Sequence, residues 1–249
     1  MTQQNFQKID KLYHYTKFVN AIKIIESNSL KFGCLDKMND VYEAYKHIYN
    51  TDTNADIDIK QIHNALLSYM QLSFTQDGLY QGYGISAMWG HYAENGMGVC
   101  LVFDKEKLIK ALPEGLYSNQ VDYQIDFKGD ITIDSNNLYK SIEQNIDKFF
   151  FTKSKDWEYE QEFRIIQKVE DSSKDVLLDL NDSLIAVVIQ YADNEEGVYN
   201  KYVDTVFKSQ NFRILDKIIE HRLLILEYGH FFDESNLRDY TGDSYIVGS

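Results

Sequence analysis

The segment with the densest set of groups able to do chemistry is WEYEQEFRII, residues 157–166. Its three glutamates and its arginine fall at alternate positions, Glu158, Glu160, Glu162 and Arg164. Because alternate side chains of a β-strand share one face, a strand over this segment lines one side of a sheet with three carboxylates and a guanidinium. Such a face is either a hydrated surface or the floor of a site.

A carboxylate on the floor of a site can orient a sugar hydroxyl, stabilise a developing cation or act as a base. Glu162 and Glu160 are therefore the candidate catalytic residues. Two like charges this close repel, which is expected to raise the pKa of one of them. Arg164 continues the same face and can pair with one carboxylate, holding it ionised. A solvated strand is the alternative interpretation.

A second candidate is His14, in the middle of the segment LYHYT. The segment predicts a short strand in which Tyr13 and Tyr15 point away from His14. Thr16 stands where it can cap a following helix. The alternative to a ligand-binding histidine here is one that is hydrogen-bonded at a sheet edge.

A third candidate group lies in SAMWGHYA, residues 86–93, which predicts a short helix. Trp89 and Tyr92 are three positions apart, so a helix places them on one face. Packing in the core is the simpler interpretation of Trp89, whereas Tyr92 can present its ring to a flat ligand. Closely spaced glycines around this segment permit tight turns and a close approach of the backbone.

Composition narrows the classes of partner. The net charge of −14 disfavours tracking of duplex nucleic acid, which uses several Lys or Arg contacts with phosphates. A net negative charge is still compatible with one nucleotide held in a small pocket. Cys34, Cys100 and the histidines show no metal-site spacing, so no metal is predicted. With neither a signal-length nor an 18-residue apolar run, we expect a cytoplasmic protein without a membrane segment.

The order of elements predicts an α+β fold in a single domain, residues 1–249, because many strands follow one another without an intervening helix. The strand that holds Glu162 is expected to be central and to adjoin the strand that holds His14. The predicted strands are 12–15, 30–33, 99–103, 118–127, the Glu162 strand, 184–190 and 222–228. The predicted helices are the one that follows Thr16, with Phe18, Ile22 and Ile25 at helical spacing, and those over 40–49, 57–71, 86–93, 104–112, 136–154 and 194–209.

Four segments, taken in order, carry a family resemblance: LYHYT, NSLKFGCLDKMNDVYEA, ISAMWGHYAENGMGVCLVFD and WEYEQEFRII. Together they resemble a widespread bacterial family known only as a domain of unknown function, number twenty-nine seventy-one. The resemblance runs from about Leu12 to the strand LIAVVIQ and beyond. The combination is specific, although each segment alone is not.

The same layout is distantly similar to the ADP-ribosyltransferase fold, which implies split mixed β-sheets flanked by helices. By that resemblance, NAD binds bent in a cleft, with His14 on the adenosine ribose and Tyr92 stacked on the nicotinamide. Glu162 engages the nicotinamide ribose, and Glu160 completes a Glu-x-Glu pattern. The sequence lacks the Ser-Thr-Ser-like second strand of that fold. The residues expected to bind NAD are His14, Tyr15, Thr16, Trp89, Tyr92 and Arg164.

The resemblance therefore implies a protein that binds NAD as a substrate and transfers or hydrolyses ADP-ribose, as in bacterial defence proteins or toxin-type effectors. A protein acceptor or partner is one possibility that the sequence leaves open. One alternative is a non-catalytic nucleotide-binding or protein-interaction module on the same fold. Another is a component of a toxin–antitoxin pair whose acidity meets a basic partner. The sequence does not define the oligomeric state.

Overall fold

The computed structural model describes residues 8–38, 49–51, 59–78, 81–125, 131–134, 136–191, 222–227 and 237–239. These residues form an α+β protein, as the order of elements predicts, with sheets that are chiefly antiparallel and are flanked by helices. The chain divides into two compact units. Unit 1 comprises residues 1–29, 75–111 and 179–249, and unit 2 comprises residues 30–74 and 112–178. The single domain predicted from the sequence stays a prediction.

Each element has defined bounds within the described residues. The strands are β1 (Lys11–Thr16), β2 (Ser29–Lys31), β3 (Gly33–Cys34), β4 (Tyr49–Thr51), β5 (Tyr69–Gln76), β6 (Val99–Asp104), β7 (Tyr117–Gln120), β8 (Asp122–Gln124), β9 (Ile131–Ile133), β10 (Thr152–Ser154), β11 (Glu162–Lys168), β12 (Leu177–Asp179), β13 (Leu184–Tyr191), β14 (Arg222–Glu227) and β15 (Leu237–Asp239). The α-helices are α1 (Phe18–Ser27), α2 (Ile59–Leu66), α3 (Ser86–Tyr92), α4 (Lys105–Lys110), α5 (Leu138–Gln144) and α6 (Ile146–Phe150).

Unit 1 is built on the apolar strand β6, which pairs antiparallel with β1 on one side and with β13 on the other. The order continues from β13 to β14 and β15, and β1 also pairs with Thr75 and Gln76 at the end of β5. The first five residues of β6 are buried, which explains why its sequence is apolar at consecutive positions instead of alternating.

Two helices of unit 1 show how local sequence sets their ends. Helix α4 begins after Asp104, whose carboxylate accepts a hydrogen bond from the backbone N–H of Lys107 at 3.1 Å. Helix α1 ends at Ser27 and is followed by Asn28, a left-handed residue whose N–H donates to the carbonyl of Ile24. Thr16 does not cap α1, because β1 continues through Thr16 and Lys17 takes the capping position.

Unit 2 contains a sheet in which β11 lies between β5 and β7, with β3 also paired to β5. Three two-stranded pairs accompany it: β8 with β10, β4 with β9, and β2 with β12. Its apolar core gathers side chains from α2, β5, β9, α5, α6 and β11, including Ile62, Tyr69, Ile142, Phe150 and Ile166.

The prediction that the strand holding Glu162 adjoins the strand holding His14 is wrong. The strands next to β11 are β5 and β7, and those next to β1 are β6 and the end of β5. The prediction that the residues around Glu162 are buried is confirmed, because Phe163 is 5% and Ile165 is 0% exposed.

Several predicted elements are divided in the structure, including the predicted strand 30–33, which is split between β2 and β3. The predicted helix 136–154 consists of α5, α6 and β10, and the predicted strand 118–127 consists of β7 and β8. The predicted helix 57–71 ends at Leu66, since Met70 and Gln71 belong to β5. A strand that is buried along most of its length lacks alternation, so its apolar residues resemble a continuation of the preceding helix. The predicted helix 194–209 and nearly all of 40–49 lie outside the described residues.

Among the helices in the described parts of the chain, none combines the length and apolar character needed to cross a bilayer. The cytoplasmic location stays a prediction.

The junction between α3 and β6 depends on the absence of a side chain at Gly98. A Cβ atom there would stand 2.3 Å from the carbonyl oxygen of Thr16 and 2.8 Å from the Cα atom of Ala93. Both obstacles are backbone atoms, so neither can rotate away. At Gly90, on α3, a Cβ atom would meet nothing within 4 Å.

We expect Gly98→Ala to lower the free energy of unfolding by about 2 kcal/mol or more, because overpacking a tight site displaces the backbone. Gly90→Ala is the matched control and should stabilise the protein by up to about 1 kcal/mol, since alanine favours a helix over glycine. Urea denaturation of the three proteins measures both effects. Equal stabilities for the two variants would contradict the packing described at Gly98.

Candidate functional site

The segment WEYEQEFRII does not form one strand. Residues Lys155–Glu160 form a 3-10 helix, and β11 begins only at Glu162. The break falls at Gln161, which is left-handed, with φ 46° and ψ 51°. Its backbone N–H and its side-chain amide both donate to the carbonyl of Glu158, at 3.1 and 2.7 Å. These two bonds offset the cost of about 1–2 kcal/mol for a left-handed residue other than glycine.

The three glutamates therefore occupy different environments instead of sharing one strand face. Glu158 lies on the 3-10 helix with a half-exposed side chain that pairs with Lys155. Glu160, the last residue of the same helix, is only 3% exposed, and Glu162 is 5% exposed. The prediction of a common face holds for Glu162 and Arg164, which are two residues apart on β11.

Glu160 and Glu162 meet at a lysine that the sequence interpretation missed. Nζ of Lys153, on β10, lies 2.6 Å from Oε2 of Glu160 and 3.4 Å from Oε2 of Glu162. Nη2 of Arg164 lies 2.7 Å from the same Oε2 of Glu162. All four side chains are buried. We refer to Lys153, Glu160, Glu162 and Arg164 as the charge cluster, and its formal charges sum to zero.

Neutral groups of unit 2 complete the surroundings of Glu162. Nε2 of Gln71 lies 3.4 Å from Oε1 of Glu162 and donates to Oγ of Ser73 at 2.8 Å. The hydroxyl of Tyr123 accepts a hydrogen bond from the backbone N–H of Glu162 at 2.8 Å. Arg164 also donates to the carbonyl of Phe150 at 2.7 Å. Both carboxylate oxygens of Glu162 thus have donors within unit 2.

These contacts lower the pKa of Glu162. Burial raises the pKa of its carboxyl, but the charges of Arg164 and Lys153, with hydrogen bonds from Arg164 and Ser73, outweigh burial. The pKa falls from an ordinary value of 4.5 to about 2. The expectation that repulsion raises the pKa is therefore wrong for Glu162. The expectation that Arg164 holds one carboxylate ionised is confirmed.

Aromatic rings border the cluster on the side of Lys153. Nζ of Lys153 lies 4.7 Å from the ring centroid of Trp157, which is a cation–π distance. Burial, followed by the charge of Glu160, raises the pKa of Tyr159, and burial, followed by the charge of Glu162, raises the pKa of Tyr123. Both phenols are therefore neutral hydrogen-bonding groups at neutral pH.

The remaining candidate residues lie in unit 1. Two of them support a turn at Gly82–Gly84: the hydroxyl of Tyr15 donates to the carbonyl of Gly82, and Nε1 of Trp89 donates to the carbonyl of Tyr83 at 2.7 Å. Their rings pack edge to face, with centroids 5.2 Å apart. This arrangement gives Tyr15 and Trp89 a packing role, as the simpler interpretation of Trp89 predicted.

The other three residues predicted to bind NAD, which are His14, Thr16 and Tyr92, also lie in unit 1. His14 is half-buried on β1, opposite Leu101 of β6. Thr16 is buried at the end of β1, and its carbonyl faces Gly98. Tyr92, the last residue of α3, is half-buried, and its ring lies 6.2 Å from that of His91. The predicted contacts of these residues with NAD stay predictions.

The structure thus groups Glu160, Glu162 and Arg164 with Lys153 in unit 2, and it places the other five candidates in unit 1. No sequence signal marks Lys153, because it lies in the polar stretch TKSKD that continues a predicted helix. Among the described residues, no three His, Cys, Asp or Glu side chains converge on a possible metal position.

Comparison with known proteins adds one finding. A model of the family described as "Protein of unknown function (DUF2971)" matches residues 88–165. The match begins within α3, ends within β11 and includes every residue of the charge cluster, whereas β1 with His14 lies outside it. No curated protein and no solved structure matches the chain.

The low pKa of Glu162 predicts a specific dependence of stability on pH. A carboxyl whose pKa falls on folding stabilises the protein above its unfolded pKa, and this contribution is lost as the pH falls through the folded value. Because the pKa of Glu162 falls from 4.5 to about 2, its charge contributes about 3 kcal/mol to the free energy of unfolding. This contribution is lost between roughly pH 5 and pH 2.

We therefore expect wild type to lose about 3 kcal/mol more stability than Glu162→Gln on acidification over that range. Glu158→Gln is the control, because Glu158 is half-exposed and lies outside the cluster. It should follow wild type. Urea denaturation at a series of pH values measures the three curves, and parallel curves for wild type and Glu162→Gln would show that Glu162 titrates normally.

Proposed function

We propose that this protein binds NAD and cleaves its nicotinamide–ribose bond, passing ADP-ribose to water or to an acceptor. The observation that carries the proposal is the buried carboxylate of Glu162, whose pKa is lowered to about 2, held beside a second buried carboxylate, that of Glu160. A fixed negative charge in a desolvated site stabilises positive charge that develops in a transition state. The proposal includes an ADP-ribosyltransferase-like fold.

The proposed reaction uses the two carboxylates in different ways. The C–N bond between ribose and nicotinamide breaks, and its electron pair leaves with nicotinamide, so positive charge moves to the ribose. Glu162 stabilises that charge. An acceptor hydroxyl or water then forms the new bond to the ribose carbon, and Glu160 takes the proton released. Arg164 keeps Glu162 ionised and in place through the contact of 2.7 Å.

The geometry sets one condition for this mechanism. The charge cluster is neutral as a whole, and Oε2 of Glu162 already has two cationic neighbours. A cationic ribose at Glu162 therefore competes with Lys153, the more distant of the two at 3.4 Å. The primary contact of Lys153 is with Glu160 at 2.6 Å, so it can leave Glu162 without losing its closest partner.

A second candidate function is a non-catalytic nucleotide-binding or protein-interaction module. The observation that favours it is that both oxygens of Glu162 are already engaged by groups of unit 2. Oε1 of Gln71, a buried acceptor next to Glu162, lacks a hydrogen-bond donor among the described residues. A ligand hydroxyl or amide that donates to this atom would recover about 1–3 kcal/mol without any chemistry.

Binding of NAD is tested by thermal and chemical denaturation with and without the dinucleotide. A ligand at 100 times its dissociation constant stabilises a folded protein by about 2.7 kcal/mol. We expect a shift with millimolar NAD, and smaller shifts for His14→Ala and Tyr92→Ala if these residues bind the dinucleotide. Val19→Ala, at an exposed position of α1, is the control. No shift with NAD, ADP-ribose or nicotinamide would favour the protein-interaction module.

Cleavage of NAD is tested by nicotinamide release and by transfer of labelled ADP-ribose. Glu162→Gln keeps the size of the side chain but removes its charge, so we expect release to fall about 100-fold or more. Glu160→Gln should reduce transfer to an acceptor more than hydrolysis, because it removes the proposed base. Glu158→Gln, two and four residues away and half-exposed, should retain both activities.

Circular dichroism and unfolding curves show whether each variant folds, and Glu162→Asp is a further variant that retains the charge. Full activity in Glu162→Gln, or no nicotinamide release by wild type with any acceptor tried, would contradict the catalytic proposal. The second result combined with a thermal shift by NAD would favour the non-catalytic binding module.

A further inference from the structure

Lys153 contacts both Glu160 and Glu162 from a different element of unit 2. It comes from β10, whereas Glu160 ends a 3-10 helix and Glu162 begins β11. Strand β10 is held by its parallel pairing with β8, in which Lys153 lies opposite Tyr123. The ammonium group is therefore positioned by a different part of unit 2 from the two carboxylates.

The side chain of Lys153 is also buried among close partners. It is 4% exposed, its Nζ contacts both carboxylates at 2.6 and 3.4 Å, and the Trp157 ring lies 4.7 Å away. A buried ammonium loses several kcal/mol of hydration, which only close and well-placed partners can offset. A lysine used only for packing would place its Nζ toward solvent.

We propose that Lys153 is the positioning residue of this site: it joins Glu160 to Glu162, holds the two carboxylates side by side, and moves toward Glu162 when Glu160 is protonated. This inference rests on the proposed function, in which Glu160 accepts a proton. When Glu160 is neutralised, its attraction for the ammonium falls and the charge of Glu162 becomes the stronger partner. Lys153 then re-forms the neutral pair with Glu162 after the cationic ribose has reacted.

Several titratable or charged groups face Lys153 and affect how strongly each carboxylate attracts its ammonium group. Glu160 comes from the 3-10 helix, Glu162 and Arg164 come from β11, and Tyr159 and Tyr123 border the cluster from the 3-10 helix and from β8. The two phenols stay neutral because their pKa values are raised. Among these groups, only the two carboxylates can gain a proton on acidification, and Glu162 does so only in strong acid because its pKa is lowered to about 2.

The test compares Lys153→Met, Lys153→Arg and Lys155→Met. Methionine removes the charge but retains an unbranched apolar chain, and arginine retains the charge. Lys155→Met is the matched control, because Lys155 forms the corresponding pair with Glu158 on the half-exposed side of the same segment. The measurements are carbon-13 NMR titration of the glutamate carboxyl groups in the full chain without NAD, and the ratio of ADP-ribose transfer to NAD hydrolysis.

We expect Lys153→Met to raise the pH at which Glu162 titrates, since it removes one of the charges that lower the pKa of Glu162. The ratio of transfer to hydrolysis should fall about tenfold or more, because the proposed base loses its partner. Lys153→Arg should restore both quantities in large part, and Lys155→Met should match wild type. If Lys153 had only a packing role, arginine at this position would not restore both the titration of Glu162 and the ratio of transfer to hydrolysis.

Wild type provides a test that needs no variant. The nitrogen-15 signal of the Lys153 ammonium group should shift as the carboxyl groups of the cluster are titrated with acid. A signal that stays constant would overturn the proposal, and so would an unchanged Glu162 titration in Lys153→Met. The carboxyl titrations decide the role of Lys153 even if wild type releases no nicotinamide, an outcome that would overturn the proposed function instead.

Discussion

The central physical constraint in unit 2 is the burial of two carboxylates within reach of one another. An isolated carboxylate in an apolar interior would bind a proton to escape the cost of its charge. Here that cost is offset by Arg164 and Lys153, which bring positive charge from two different strands. The path of the chain from β10 through the 3-10 helix to β11 is what allows the four charges to meet, and the left-handed Gln161 is the point at which that path turns.

Unit 1 is organised by a different constraint, the close packing of aromatic rings and backbone. A Cβ atom at Gly82 would lie 2.1 Å from the ring of Tyr13, so that ring lies directly against the Gly82 backbone. Tyr15 and Trp89 then donate hydrogen bonds to the carbonyls of Gly82 and Tyr83. The glycines that the sequence shows as a cluster are thus partly required by neighbouring rings and carbonyls, which is a packing reason that composition alone does not reveal.

How much of this could be predicted depends on whether the information is local. Apolar runs and helix caps are local, so β6, β13 and the Asp104 cap of α4 follow from the sequence. The pairing of Glu162 with Arg164 is also local, because two residues on one strand share a face. The break at Gln161 was missed because glutamine gives no signal for a left-handed conformation. Lys153 was missed because its burial is set by the approach of β10 and β8.

The same contacts that stabilise the charge cluster also limit what it can do. Each donor to the carboxylate of Glu162 also occupies a position that a ligand would need. Removing one of two paired buried charges is costly, since the remaining charge stays buried without compensation. Selection on stability and selection on activity would therefore act on the same four residues in opposite directions. A loss of activity in a variant of the cluster shows a catalytic role only when the charge of its partners, measured directly, is unchanged.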